Sequence, residues 1–137
     1  MRLGIAEILK KVSELKTKEE KLDMLRKNDN TAMRTVLKYA FDPKIQWALP
    51  EGKPPYKPCP YLDQENMLYH EARRLYLFLE GGNPNLTNIK RESMFISLLE
   101  SLAPADAELL CEVKEKRIPY KSINPQLVKE AFPGILS

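Results

Sequence analysis

The sequence predicts an all-α protein, folded as a compact bundle of about six to seven helices. Apolar residues recur at the three- and four-residue spacing of a helix face along most of the chain, and no stretch shows the alternating pattern of a half-buried strand. Capping residues and prolines divide this pattern into segments of helical length. The 137 residues, 43% of them hydrophobic, suit a single domain over 1–137 with a real core.

The first two helices are marked by a periodic face and a capping motif. Residues 5–15 place one apolar side chain after another on a single helix face, namely Ile5, Ile8, Leu9, Val12 and Leu15. Thr17 and Glu20 then form a capping box, in which hydroxyl and carboxylate satisfy free amides at a helix start. The second helix is expected to end near Asn28.

The third helix is expected to start after Asp29 or Asn30, since either residue can act as the N-cap. Its apolar face consists of Met33, Val36, Leu37, Ala40 and Phe41. Asp42-Pro43 ends it, because proline cannot continue the hydrogen-bond ladder and restricts the preceding residue. Five prolines from Pro50 to Pro60 then predict a stiff extended loop, residues 50–62, inside the domain.

The fourth and fifth helices are bounded by caps and glycines. Asp63 is the expected cap of the fourth helix, which ends at Gly81-Gly82, where glycine permits a left-handed stop. Its apolar residues are Met67, Leu68, Leu75, Phe78 and Leu79. Thr87 is the expected cap of the fifth helix.

Prolines mark the last two helices. Pro104 suits the first turn of a sixth helix, whose expected last turn holds Lys114, Lys116 and Arg117 near the negative end of the helix dipole. Asn124-Pro125 opens a short seventh helix, which Pro133-Gly134 closes.

Composition argues against catalysis. One histidine, two cysteines and five glycines leave little material for a metal site, a nucleophile–base pair or a glycine-rich phosphate loop. His70, Cys59 and Cys111 show no ligand spacing. We therefore expect a non-enzymatic protein with no catalytic residue, metal, cofactor or small-molecule substrate.

The amino-terminal residues and the length of the apolar runs predict the cellular compartment. The amino-terminal residues alternate apolar and charged side chains, unlike a signal peptide, and no apolar run approaches the roughly 20 residues that cross a bilayer. The net charge is +3. These features predict a cytoplasmic protein without a membrane partner.

Two basic groups are candidate phosphate contacts. Lys90-Arg91 lies in the first turn of the fifth helix, where cations make sense if they face a bound phosphate. The second group surrounds the turn before the seventh helix and comprises Lys116, Arg117, Lys121 and Ser122. The alternative is that these residues only make the helices soluble.

Tyrosines offer a different candidate surface. Tyr69 and Tyr76 are seven residues apart on the predicted fourth helix, with Arg73 between them, and Tyr56 lies in the proline-rich loop. Tyrosine and arginine are common in partner-binding surfaces. The alternative is a partly buried seam between helices.

Several short motifs carry a resemblance that covers most of the chain outside the proline-rich loop. They are Ile5–Leu15, Thr17-Lys18, Leu25–Asn28, Gly82-Asn83, Asn88–Arg91, Leu98–Leu102, Lys116–Ile118 and Ala131–Leu136. In their order, the chain resembles the N-terminal DNA-binding domain of ATP-dependent DNA ligases, particularly those of T-even phages. The resemblance implies a ligase-like helical fold and contacts to DNA phosphates, with Gly81, Gly82 and Asn83 shaping a backbone contact.

Two departures qualify the resemblance. Pro119 stands where that family has a glycine whose amide approaches DNA, and Lys121 offers a replacement positive charge. The Lys-x-Asp-Gly motif that would supply the adenylated lysine is absent, so the chain alone does not seal nicks. The chain also resembles short proteins of T-even-like marine phages, which share Leu49–Gly52 and Pro54–Tyr56.

Two functional hypotheses follow. The first is a stand-alone protein of phage DNA metabolism that binds double-stranded DNA, nicked or intact, in the bacterial host cytoplasm with little sequence specificity. The second is a phage interaction adaptor that binds a replication or transcription protein of phage or host without contacting DNA.

Overall fold

The structure is a computed structural model that describes residues 4–59, 67–120 and 122–135. These residues contain seven α-helices and one 3₁₀ helix, joined by turns and loops. This confirms the all-α prediction. The elements are α1 (Ile5–Glu14), α2 (Lys18–Lys27), α3 (Thr31–Phe41), α4 (Met67–Glu71), the 3₁₀ helix (Ala72–Phe78), α5 (Asn88–Ser101), α6 (Pro104–Lys114) and α7 (Pro125–Ala131).

Four helices begin where the sequence predicts, each at a side-chain cap. The hydroxyl of Thr17 accepts a hydrogen bond from the amide of Glu20 at 3.2 Å, and Asn30 rather than Asp29 caps α3. Thr87 caps α5 and Asn124 caps α7 in the same manner. Because each cap satisfies an amide only three residues further on, local sequence was sufficient to place these starts.

The predicted fourth helix is α-helical only over α4 and then tightens into the 3₁₀ helix. Its predicted cap, Asp63, lies outside the described residues. The buried side chains Ala72, Leu75 and Phe78 recur every third residue, which is the repeat of a 3₁₀ helix. The prediction of one α-helix up to Gly81 is therefore wrong, because three-residue apolar spacing suits both helix types.

The 3₁₀ helix is tied at its end to the chain that follows α3. The amide of Ala48 donates to the carbonyl of Phe78 at 2.8 Å, and the amide of Glu80 donates to the carbonyl of Gln46 at 2.9 Å. These bonds form an isolated antiparallel bridge between Trp47 and Leu79, outside any named strand. They fix the 3₁₀ helix relative to α3.

The core is built around α6, which contacts α1, α3 and α5, while α2 packs on α7. Its fully or almost fully buried side chains include Ala107, Leu109, Leu110 and Val113. Phe78 and Phe95 join the 3₁₀ helix to α5 through an edge-to-face contact with ring centroids 5.1 Å apart. Within the described ranges, no helix is long and apolar enough to span a membrane.

The described part of the proline-rich segment packs on α5 and α6. The ammonium of Lys114 donates to the carbonyl of Pro50 at 2.9 Å, and the amide of Lys57 donates to the carboxylate of Glu100 at 3.0 Å. These long-range bonds hold a segment that has few backbone donors of its own.

A glycine pair turns the chain between the 3₁₀ helix and α5. Gly81 has a φ of +80°, and a Cβ on Gly82 would lie 1.8 Å from the carbonyl oxygen of Tyr76. The amide of Gly82 also donates to the carbonyl of Leu79 at 3.1 Å. Glycine is therefore required at 82 by close packing, and favoured at 81 by backbone conformation.

We predict that Gly82→Ala lowers the free energy of unfolding by about 3 kcal/mol, because the clash with backbone atoms forces the turn to move. Gly81→Ala is the matched control and should cost only about 1 kcal/mol, the strain of a left-handed alanine. Urea unfolding followed by circular dichroism measures both variants. Equal losses would contradict the close approach at Gly82.

Candidate functional site

Arg91, a predicted phosphate contact, is directed inwards. Its side chain lies in the first turn of α5, and the residue is only 6% exposed. Its guanidinium donates to the side chain of Asn88 at 2.7 Å and to three carbonyls, those of Asn83 at 3.4 Å, Leu86 at 3.0 Å and Leu77 at 3.2 Å. Four of its five N–H donors are thus used within the protein. This corrects the prediction: Arg91 stabilises the turn before α5 and does not face a phosphate.

Lys116 is also occupied internally. Its ammonium donates to the carbonyls of Tyr39 at 3.0 Å, Asp42 at 2.7 Å and Ile45 at 3.0 Å, which uses all three of its N–H donors. Tyr39 lies in the last turn of α3, where carbonyls lack partners within the helix. Burial lowers the pKa of Lys116, and Asp42 acts in the opposite direction.

Two parts of the prediction for Lys116 are therefore corrected. The residue lies beyond the end of α6, with a φ of +64°, instead of in its last turn. It closes the carboxyl end of α3 and leaves no donor for DNA.

Ser122 and Lys121 complete the second predicted group. The hydroxyl of Ser122 donates to the carbonyl of Ser13 at 3.1 Å, so its one donor serves the end of α1. This corrects its assignment as a phosphate contact. Lys121 lies outside the described residues.

The other predicted DNA contacts are either exposed cations or residues that form the turn before α5. Lys90 is exposed, and Arg117 is exposed but paired with the carboxylate of Glu112. Asn83 is used locally, because its side chain accepts the amide of Asn85 at 3.1 Å and its carbonyl accepts Arg91. Gly81 and Gly82 shape the turn. Of the cations predicted to contact DNA, those that the structure describes as exposed are Lys90 and Arg117.

Arg26 repeats the inward use of positive charge. Its guanidinium donates to the carbonyl of Glu130 at 2.9 Å and reaches that of Ala131 at 3.5 Å, at the carboxyl end of α7. Sequence reasoning missed this contact because the two segments lie more than a hundred residues apart.

Tyr56, a predicted recognition residue, is half-buried beside Cys111. Burial and the neighbouring thiol raise the pKa of Tyr56 to about 12. Burial also raises the pKa of Cys111, which disfavours the nucleophilic thiolate. The ammonium of Lys53 lies 5.6 Å from the centre of the Tyr56 ring. Tyr56 is therefore only partly open to a partner, and its assignment as a partner-binding residue stays a prediction.

The predicted tyrosine stripe is only partly present. Tyr69 is half-buried in α4, whereas Arg73 and Tyr76 are exposed on the 3₁₀ helix. Side chains three residues apart eclipse one another on a 3₁₀ helix, so Arg73 and Tyr76 share a face. The change of helix type separates Tyr69 from them, which corrects the single stripe.

A cleft of about 530 Å³ lies between the 3₁₀ helix and α5, and we call it the α5 cleft. Its apolar lining is formed by Leu77, Phe78, Met94 and Leu98, and its polar lining by Glu71, Arg74, Lys90, Ser93, Ser97 and Ser101. The α5 wall of this cleft could have been predicted from the sequence, because six of the lining residues recur along α5 at helical spacing. The opposite wall was not predictable because it depends on the 3₁₀ winding.

A second cleft of about 410 Å³ lies beside α6. Two of its carboxylates are already paired, Glu112 with Arg117 and Glu115 with Lys114. The pairing with Lys114 and the amide of Gly52 lowers the pKa of Glu115. In the part of the chain that the structure describes, no group of three or more histidine, cysteine or acidic side chains is placed to hold a metal ion.

Comparison with known proteins identifies the family. The chain belongs to a family of unknown function (DUF6433), whose model matches residues 8–120. No curated protein matches the sequence.

We predict that Lys116→Met lowers the free energy of unfolding by about 2 kcal/mol, because the carbonyl of Ile45 loses its donor and the carbonyls of Tyr39 and Asp42 each lose one of two donors. Lys90→Met removes the same charge from an exposed position and should change stability by less than about 0.5 kcal/mol. Urea unfolding of both variants measures the difference. Similar stabilities would contradict the internal role of Lys116.

Proposed function

We propose that this DUF6433 protein is a non-catalytic protein-binding module and that the α5 cleft is its binding site. The observation that carries the proposal is a concave, partly apolar surface in which Leu77, Met94 and Leu98 are only half-buried. Burial of such side chains against a partner is favourable in proportion to the apolar area removed from water.

The surroundings of the cleft support the same proposal. The exposed large hydrophobic side chains of the described residues are Tyr76, which is 47% exposed, and Ile89, which is 82% exposed. Tyr76 and Arg73 lie on the 3₁₀ helix that also forms one wall of the cleft. Ile89 lies at the start of α5, directly before the lining residue Lys90. Tyrosine and arginine beside an apolar pocket are the residues that most often dominate binding energy in interfaces.

The serines of α5 make the cleft accessible to a partner. Ser93 and Ser97 are exposed and small, so a bound segment can approach the helix backbone closely. Their hydroxyl groups can donate and accept hydrogen bonds, which gives orientation to an otherwise apolar contact.

DNA binding is the second candidate, and the exposure of Lys90 and Arg117 favours it together with the resemblance to ligase DNA-binding domains. The internal use of Arg91, Lys116 and Ser122 places it second. The two predicted contacts that remain exposed cations neutralise fewer phosphates than a tight DNA-binding surface needs.

We predict that Ser97→Trp abolishes partner capture, because the indole fills the α5 cleft from an exposed position without disturbing the core. Gln126→Trp on α7 is the matched control, since it adds the same side chain at another exposed site. Tagged proteins are incubated with a nuclease-treated lysate of phage-infected bacteria, and the retained proteins are identified by mass spectrometry. A partner retained equally by both variants would place binding elsewhere.

For the DNA candidate, we predict a plot of log K against log salt with a slope of about −2, as expected for two neutralised phosphates. Lys90→Glu with Arg117→Glu should abolish binding, whereas Lys90→Gln alone should reduce the slope to about −1. Gel shifts with nicked duplex, intact duplex and single-stranded DNA provide the measurement. Absence of salt-dependent binding at low ionic strength would remove this candidate.

A further inference from the structure

We infer that the occupant of the α5 cleft is an amphipathic helix with acidic flanks. This inference rests on the proposed protein-binding function and adds the chemistry of the partner. It follows from the length of the cleft, its apolar lining and the sign of the charges around it.

The length of the cleft suits a helix. Its lining follows α5 from Lys90 to Ser101, a distance of about 16 Å at 1.5 Å per residue. A partner helix of about three turns covers that distance and presents apolar anchors on one face. The described residues offer an isolated β-bridge instead of a sheet edge, so strand addition lacks a template there.

The lining of the cleft suits apolar anchors of differing shape. Met94 and Leu98 come from α5, and Leu77 from the 3₁₀ helix. Methionine is flexible and polarisable, so it adapts to the side chain that enters. Between them, the small Ser97 leaves room for a helix to lie against α5.

The charges around the cleft favour carboxylates on the partner. Arg74 and Lys90 line it, and Arg73 is exposed on the same 3₁₀ helix. The carboxylate that lines the cleft is Glu71, and it already contacts the guanidinium of Arg74 at 3.4 Å. Two lining cations against one carboxylate make the rim positive, which attracts an acidic segment and repels a basic one.

The same charges argue against a second copy of the chain as the occupant. A second copy related by two-fold symmetry would bring its own Arg74 and Lys90 to the same positive rim. Like charges at an interface oppose association. Self-association through the cleft is therefore an outcome that would overturn the inference.

Two synthetic helical peptides of about 18 residues test the inference with the full chain. Both carry leucines at three- and four-residue spacing, and one has glutamates and the other lysines at the flanking positions. Fluorescence anisotropy should show the glutamate peptide binding at least about tenfold more tightly at low salt, with the difference shrinking as salt screens the charges. Ser97→Trp should abolish its binding, while Gln126→Trp should not.

A charge-removing variant tests which residues supply the preference. Arg74→Gln with Lys90→Gln should weaken binding of the glutamate peptide by about tenfold and leave the lysine peptide no weaker than before. Equal binding of both peptides, still blocked by Ser97→Trp, would overturn the acidic preference but leave the protein-binding function standing. Binding of neither peptide also overturns the inference, and the lysate experiment then decides the function separately. Sedimentation that shows dimers sensitive to Ser97→Trp would assign the cleft to a second copy.

Discussion

The arrangement of this protein depends on hydrogen bonds from cationic side chains to main-chain carbonyls at the ends of distant segments. A helix leaves its last carbonyls without internal partners, and burying them unpaired is costly. The ammonium of Lys116 donates to the carbonyls of Tyr39, Asp42 and Ile45, so one side chain joins the end of α6 to the end of α3. Since the chain after α3 is hydrogen-bonded to the end of the 3₁₀ helix, this contact also positions one wall of the α5 cleft.

This internal use of cations changes the meaning of the net charge. The value of +3 includes Arg91, Lys114 and Lys116, whose cationic groups donate to main-chain oxygens, although buried Asp42 and Asp106 remove negative charge from the surface as well. Positive charge that serves the fold cannot neutralise phosphates. The half-buried apolar side chains of the α5 cleft are therefore the basis of the proposed function, and the net charge is not.

The 3₁₀ helix has an equally large effect on the surface. An α-helix continued through Ala72 would have placed Tyr69, Arg73 and Tyr76 on one face. The tighter winding instead buries Ala72, Leu75 and Phe78 and leaves Arg73 and Tyr76 in solvent beside the cleft. Phe78 is held against Phe95, so core packing selects between two helix types that the sequence pattern allows equally.

Sequence alone determined the features whose two partners lie within one helical turn. Thr17, Asn30, Thr87 and Asn124 cap amides three residues ahead, so the helix starts were readable without a structure. Tertiary structure determined which residues of the candidate site are exposed and which are used in internal hydrogen bonds. The three carbonyls that bind Lys116 lie 71 to 77 positions away, and the carbonyl that binds Ser122 lies 109 positions away. A cation in a sequence looks the same whether it will meet solvent or a carbonyl, and only the packing of distant helices distinguishes the two.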